Sequence, residues 1–371
     1  MDAAREADAP PVRLGLLGTG RGYHFARALR WAQGAVLAGV CGRDPDKTRA
    51  RVAKWGTDAP VFDSYEHMLD ADLDAVIVAS PMPLHVDHAV AALRASKHVL
   101  SEVSAADTIE DCHRLLEAVR ASDRTYMLAE NFCYMRPWAL VKALAHAGRL
   151  GQAYYGQGLL QARIRFDPPG PNARWTTASW AMQPGHPYAT HYLGPLYQVF
   201  GERVARVVCL GSGQHHQAWA RADDTSVVLC ETASGRLIEL RVDFFGPAPM
   251  QGSIDVYGTQ GACRVLSTGT HADQQVHLTG ASPKNAWENL YAYADHLPDR
   301  YRRLPAEVTE RTFDSGLPVL LEEFAHAVRT RARPPIDVTD ALHMSAPGIV
   351  AAESRRRGGA PVDVPAFESS E

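Results

Sequence analysis

The strongest constraint on this chain is a change of period near its start. Val12-Arg13-Leu14-Gly15-Leu16-Leu17 is an apolar run of strand length, Gly18-Thr19-Gly20-Arg21-Gly22 interrupts it, and Tyr23 to Leu29 spaces its apolar residues as a helix does. Glycines at such a turn let the backbone come close to a pyrophosphate, and the helix start offers free N–H groups and a partial positive charge. The spacing is GxGxG, with the third glycine one place earlier than in GxGxxG, and an isolated pattern of this kind also fits a plain tight turn. The neighbouring sequence decides between the two.

Val36 to Cys41 reads as a second strand and ends in Gly42-Arg43-Asp44. Ala75 to Ser80 reads as a third, running into Pro81-Met82-Pro83-Leu84-His85 and a helix through Ala89, Ala92 and Leu93, and His98 to Glu102 reads as a fourth. Strands separated by helical stretches build βαβ units around a parallel sheet. In that setting the glycine turn becomes a dinucleotide loop, with Gly18, Gly20, Arg21, Gly22 and Tyr23 at the cofactor. An Asp at the tip of the second strand selects NAD through the adenosine ribose. Gly42 followed by Arg43 leaves NADP open, because a guanidinium binds a 2′-phosphate or stacks on adenine.

At roughly 150 residues per domain, 371 residues give two domains. A hydrophobic share of 46% and a charged share of 22% are those of an ordinary globular chain. The balance of 38 basic against 42 acidic residues excludes nucleic acid as the main partner. The longest apolar run, Ala75 to Ala79, is far short of the ~18 residues that cross a bilayer, so no membrane partner is expected. The acidic opening Met1 to Asp8 carries no signal-type apolar region. Six cysteines (Cys41, Cys112, Cys133, Cys209, Cys230 and Cys263) are scattered without a CxxC pair, which argues against zinc or a disulfide framework and for a reducing cytoplasm. His215, His216 and His271 lack a carboxylate or cysteine at ligand spacing, so no metal is expected.

Further motifs join the glycine loop: Ser80-Pro81-x-x-Leu84-His85, Lys97-His98-Val99 with Glu102, Glu130-Asn131-Phe132, Val256-Tyr257-Gly258-Thr259-Gln260-Gly261, Asp337-Val338-Thr339-Asp340-Ala341 and Pro361-Val362. Together they resemble the glucose-fructose oxidoreductase/inositol dehydrogenase/MocA family over nearly the whole chain. The resemblance implies an α/β protein. Residues 1–135 form an N-terminal Rossmann domain with a doubly wound parallel sheet, and residues 136–371 a substrate-binding α+β domain with a mostly antiparallel open sheet, its C-terminal segment packing back on the first. It also implies a tightly held NAD contacted by the loop, Arg43, Ser80, Pro81, His85, Glu102 and Asn131, a small sugar-type substrate, and homodimers or homotetramers joined through the second sheet.

One departure is informative. The family's dehydrogenases carry Glu-Lys-Pro after the fourth strand, the lysine helping to take the hydroxyl proton; here the residues are Glu102-Val103-Ser104, and valine accepts no proton. A replacement is offered by Tyr188-Ala189-Thr190-His191-Tyr192-Leu193-Gly194-Pro195. Tyr188 and His191 share a face if the run opens a helix, and a phenol and an imidazole together accept, relay and return protons; amphipathic packing at a helix start is the alternative reading. The string, with Glu130-Asn131-x-x-Tyr134, is similar to the NAD-dependent glycosidases of glycoside hydrolase family 109, typified by bacterial α-N-acetylgalactosaminidases. That likeness implies Tyr188 and His191 as acid/base groups and Glu130 as a substrate contact. The implied route is redox-neutral: bound NAD⁺ oxidises the sugar C3 hydroxyl, the acidified C2 proton is removed, the anomeric group leaves, water adds and the hydride returns. Two carboxylates flanking the anomeric carbon are then not required. The tyrosine of those galactosaminidases on the first strand of the second domain stands here as Leu160, and their His-Gly-Gly-x-Asp stretch as Phe313-Asp314-Ser315-Gly316-Leu317. Two other readings stand beside this one: an NAD(P)-dependent sugar or inositol dehydrogenase with His191 as base, and a non-catalytic ligand sensor.

Arg163 and Arg165 have strand period and share a face. They form either a solvated face or, with Arg174 beside Trp175, a grip on an anionic substrate. Trp287, Tyr291, Tyr293 and Tyr301 form either a sugar-stacking wall or ordinary packing, and Tyr301 in Asp299-Arg300-Tyr301-Arg302 resembles a substrate tyrosine of the glycosidases. The expected substrate contacts are thus Glu130, Arg163, Arg174 and Tyr301.

Overall fold

The computed structural model describes residues 9–170, 173–185, 188–310 and 314–368; the acidic opening Met1 to Asp8 and Phe313 lie outside the described residues. The chain forms two compact units, one made of residues up to Ala129 together with Leu317–Leu342, the other of Glu130–Gly316 and His343–Phe367. The division is therefore interleaved and first breaks after Ala129, where a boundary at residue 135 with a C-terminal segment packing back on the first domain was expected.

The first unit is built on β1 (Val12–Leu17), β2 (Ala35–Cys41), β3 (Val61–Phe62), β4 (Ala75–Val78), β5 (His98–Ser101) and β6 (Tyr126–Leu128), in the order β3-β2-β1-β4-β5-β6. Every pairing is parallel. All residues of β4, β5 and β6 are buried, as in a sheet covered on both faces. The order reverses at β1, and ligands of such sheets bind beyond the carboxyl ends of the strands at that switch point. The glycine loop leaves β1 there and enters the helix Gly22–Ala28. The next helix, Pro45–Trp55, shows why the sequence stops and starts where it does. Asp44 caps it by accepting from Lys47 N at 3.0 Å, Pro45 opens it and Gly56 at φ +67° ends it. The returning helix Leu317–Thr330 buries Leu320, Leu321 and Phe324 and packs on the helix Gly22–Ala28, β1 and β2. Gln33 N donates to Glu322 Oε1 at 2.8 Å and Leu128 N to Ile336 O at 3.0 Å, joining the segment to the unit.

The second unit holds a sheet of β7 (Ala153–Gln161), β8 (Val204–Gly211), β9 (Thr225–Thr232), β10 (Leu237–Asp243), β11 (Gln251–Gly258), β12 (Gly261–Leu266), β13 (Gln275–Leu278), β14 (Glu288–Asn289) and β15 (Val362–Asp363). Its order is β14-β13-β12-β11-β7-β10-β9-β8-β15, with β7 and β10 parallel and the other pairs antiparallel. Burial alternates along β9 and β10, the signature of a sheet with one covered and one open face. The helix Thr190–Phe200 packs on β7, β10 and β11. Leu210, Leu229 and Leu237 stay exposed on the strands β8, β9 and β10. Among the described residues no helix is long and apolar enough to cross a membrane, and all six cysteines are free and buried.

Candidate active site

The helix Thr190–Phe200 carries His191 in its first turn and ends at Gly201, φ +68°. Gly194 faces the Glu130–Tyr134 turn: a Cβ there would stand 3.0 Å from Glu130 Cγ and 3.2 Å from Cys133 Sγ, so the missing side chain lets helix and turn close on each other. The approach brings three groups into a line. The Tyr188 hydroxyl lies 2.7 Å from His191 Nε2, and His191 Nδ1 lies 2.8 Å from Glu130 Oε1. With the Glu130 carboxylate accepting, Nδ1 carries the imidazole proton and Nε2 accepts from Tyr188. Phe132 N donates to the same Glu130 oxygen at 3.1 Å, and the Phe132 ring stacks on the imidazole at 4.2 Å and 12°. Both contacts fix the ring plane. Glu130 is fully buried, and its Oε2 has no partner among the described residues. The substrate contact expected of Glu130 is thus replaced by a place behind His191, where it orients the imidazole.

Tyr188 and His191 line a cavity of about 600 Å³ within the second unit. Leu160, Ala162, Ile164, Trp180, Phe244 and Met250 contribute its apolar wall, while Ser267, Thr268 and Glu310 add polar groups. Trp180 comes from the π-helical turn Thr177–Ala181 and lies 4.6 Å from the Tyr188 ring and 5.5 Å from Phe244. Of these residues only Leu160 was singled out from the sequence, as the position where the glycosidases carry a tyrosine. Leu160, Ala162 and Ile164 share the period of one extended segment, but Trp180, Phe244, Met250, Ser267, Thr268 and Glu310 come from other parts of the chain that no local period joins to it.

The residues expected to grip an anion lie elsewhere. Arg163 and Arg165 alternate with Ala162 and Ile164 and are exposed, so the strand turns its small and branched residues to the cavity and its arginines away. Arg174 is exposed and occupied by Asp167 at 3.2 Å and by the Arg165 carbonyl. Tyr301 is 5% exposed in a one-turn helix and does not line the cavity. Trp287, Tyr291 and Tyr293 do not line this cavity, and Arg264, Arg136 and Arg149 lie over their rings. His216 Nδ1 is bonded to Asp224 at 2.8 Å, and no metal-holding group of three side chains occurs among the described residues.

In the first unit the glycine loop fits a dinucleotide. Gly18 sits at φ +101°, and a Cβ on it would meet the Ala79 carbonyl oxygen at 2.2 Å, so no other residue fits. Gly20 is exposed with no atom within 4 Å of a Cβ position, which leaves the loop backbone open to a phosphate. Gly22 packs against Leu16, doing here what the displaced third glycine does in GxGxxG. Arg21 Nε donates to Glu102 Oε1 at 2.6 Å, tying the loop to the end of β5, and Glu102 Oε2 accepts from Val103 N at 3.1 Å. Tyr23 is exposed, its ring 5.9 Å from Trp55. Arg43 is exposed without a hydrogen-bond partner among the described residues, while Asp44 is held by the cap to Lys47. The Ser80 hydroxyl lies 2.9 Å from His88 Nδ1, and Pro81 is exposed at the head of the turn Met82–Leu84. His85 departs from expectation: it is buried, and its two ring nitrogens lie 2.9 Å from the Ser104 and Ser80 carbonyls, so it staples the backbone and presents nothing to a cofactor. Asn131, in the second unit, donates from Nδ2 to Asp314 at 3.1 Å and keeps a buried Oδ1 with no partner among the described residues.

A parallel Rossmann sheet with an open glycine loop, and an open mixed sheet covered by a helix whose start, with the Glu130–Tyr134 turn, carries a Tyr–His–Glu set, define the class: an NAD-binding enzyme of the oxidoreductase type. The comparisons agree. A model described as "Oxidoreductase family, NAD-binding Rossmann fold" matches residues 12–130, the GFO/IDH/MocA C-terminal domain matches 138–264, and the glycosyl hydrolase 109 C-terminal domain matches 210–371. Glycosyl hydrolase family 109 proteins of Saccharopolyspora erythraea and Solibacter usitatus are 26% and 27% identical to it; each alignment covers 96% of this chain, and 83% and 88% of theirs. The alpha-N-acetylgalactosaminidase of Tannerella forsythia is 26% identical over 96% of this chain and 86% of its own. A levoglucosan dehydrogenase solved with NADH and L-sorbose shares the fold, with a TM-score of 0.82, 19% identity, and coverage of 97% of this chain and 100% of that one. The chain belongs to the GFO/IDH/MocA family and stands close to glycoside hydrolase family 109 within it.

Proposed function

We propose that the protein is an NAD-dependent glycosidase that cleaves by transient oxidation of its sugar and returns the cofactor unchanged. The observation that carries this reading is the Tyr188–His191–Glu130 line in a chain whose dehydrogenase lysine position is Val103. When bound, NAD supplies a hydride acceptor, and later a donor, at the sugar C3. The chain's residues supply the rest. Gly18, Gly20, Arg21 and Glu102 hold the cofactor, with Arg43 at the adenosine end. Tyr188 takes a proton from the substrate and passes its own to His191 Nε2, while Glu130 holds the imidazole in the tautomer that can receive it. The ketone at C3 acidifies the C2 proton, which goes by way of solvent to the aglycone oxygen as the C1–O bond breaks; water then adds its hydroxyl at C1 and a proton at C2, and reversal of the relay returns the O3 proton as the hydride goes back to C3. Six buried free thiols, with burial pushing Cys41 up to about 11 and Cys112, Cys209 and Cys230 to about 12, suit a cytoplasmic protein.

The test is turnover of a glycoside in deuterium oxide with the near-ultraviolet absorbance of reduced nicotinamide followed throughout. Deuterium at C2 of the released sugar with no net absorbance change is expected. Release without deuterium removes the elimination, and stoichiometric accumulation of reduced cofactor makes the protein a sugar dehydrogenase, the activity of the levoglucosan enzyme whose fold it shares.

A further inference from the structure

We propose that the cavity beside Tyr188 and His191 selects glycosides whose aglycone is neutral, apolar and ring-shaped; only the assignment of its occupant as an aglycone rests on the glycosidase reading. The side chains of Leu160, Ala162, Ile164, Trp180, Phe244 and Met250 present hydrocarbon and ring surface to the cavity, the Trp180 indole nitrogen being itself buried. A second sugar there would strand hydroxyl groups against hydrocarbon, each unmade hydrogen bond costing its desolvation. The volume, about 600 Å³, falls in the range of ~300–1,000 Å³ that holds drug-sized ligands. That leaves room for a ring system beyond the sugar that Tyr188 and His191 engage. The shape is specified as well. Trp180 and Phe244 stack at 5.5 Å and 22°, and Trp180 meets the Tyr188 ring at 4.6 Å, so an aromatic surface runs from the proton-handling end into the apolar part. Charge selects in the same direction. Among the described residues no lysine or arginine lines the cavity, since Arg163 and Arg165 point off the other face of the strand, and the one carboxylate on the described lining, Glu310, opposes an anion. An anionic aglycone would enter an apolar site without a counter-charge, which is the costliest case.

The experiment uses the purified, cofactor-loaded protein and three probes: 2-naphthol, its anionic counterpart 2-naphthoate, and methyl glucoside. Binding is read by calorimetry and by quenching of tryptophan fluorescence, so the result does not depend on turnover. Saturable binding of 2-naphthol is expected, with 2-naphthoate at least about tenfold weaker and methyl glucoside producing no quench. Ile164→Asp, at a half-buried position, and Met250→Asp, at an exposed one, are each expected to weaken 2-naphthol by about tenfold, with circular dichroism checking the fold. Ile164→Arg is expected to admit 2-naphthoate. Absence of 2-naphthol binding, equal affinity for the two naphthyl probes, or binding untouched by both aspartate variants overturns the proposal. If the probes behave as expected while no glycoside is cleaved, the glycosidase reading fails and the cavity's selectivity stands.

Discussion

Glu130 has one oxygen on His191 and a second with no partner among the described residues, and a fully buried carboxylate of that kind acts through the group it holds. Glu130→Gln keeps the volume and removes the charge that fixes the His191 tautomer. Turnover should fall by roughly 10²- to 10⁴-fold, the range of acid–base catalysis, with the thermal midpoint close to wild type and the pH–rate profile displaced. An unchanged profile would leave Glu130 a packing residue. The pair in front of it was legible because Tyr188 and His191 stand three apart at a helix start, although Tyr188 lies just before the helix Thr190–Phe200 and meets His191 through its hydroxyl, not by sharing a helical face. The partner was not, because Glu130 lies 61 residues upstream and is joined to His191 only by the closing of helix on turn. His85 misled for a related reason: a histidine in a loop motif reads as a contact, and only the fold shows two carbonyls already at its nitrogens.

At the scale of elements, Gly194 sets the distance between the helix Thr190–Phe200 and the Glu130–Tyr134 turn. Gly194→Val pushes methyl groups into the space held by Glu130 and Cys133. Overpacking of this kind costs about 1–3 kcal/mol, so the thermal midpoint should drop and, because the histidine–carboxylate bond lengthens, activity should drop further than the lost folded fraction accounts for. A loss of activity no larger than the loss of folded protein would separate the helix position from catalysis. The strand leading out of β7 shows what period can and cannot tell. Alternation alone puts Arg163 and Arg165 on one side and Ala162 and Ile164 on the other. Which side faces the cavity depends on which face the Thr190–Phe200 helix covers, and that is decided far away in the sequence.

For the whole molecule, the strand pairing places Leu229 beside Val208 and Glu239, and Leu210 beside Val227, on the face the Thr190–Phe200 helix leaves open. An exposed apolar patch on a sheet marks an interaction site, and we expect this one to join identical subunits. Light scattering should give a dimer or tetramer for the native chain and a lower mass for Leu210→Glu with Leu229→Glu; an unchanged mass moves the interface elsewhere. The two-domain count was legible from length and the parallel sheet from its motifs. A C-terminal segment returning to the first domain was implied by the resemblance, but that it is Leu317–Leu342 was not legible, since an amphipathic helix shows that it has a partner without showing which.

That return has a consequence for how the protein is made. Chains emerge from the ribosome N-terminus first, and domains begin to fold as they emerge. The six parallel strands are complete by Leu128, yet the helix that covers β1 and β2 is translated only after the entire stretch from Glu130 to Gly316. Through most of its synthesis the nascent chain therefore carries a parallel sheet with part of one face bare. A gene fragment ending at Ala129 would keep it so permanently, which makes this dinucleotide unit a poor candidate for expression alone and an early client for chaperones.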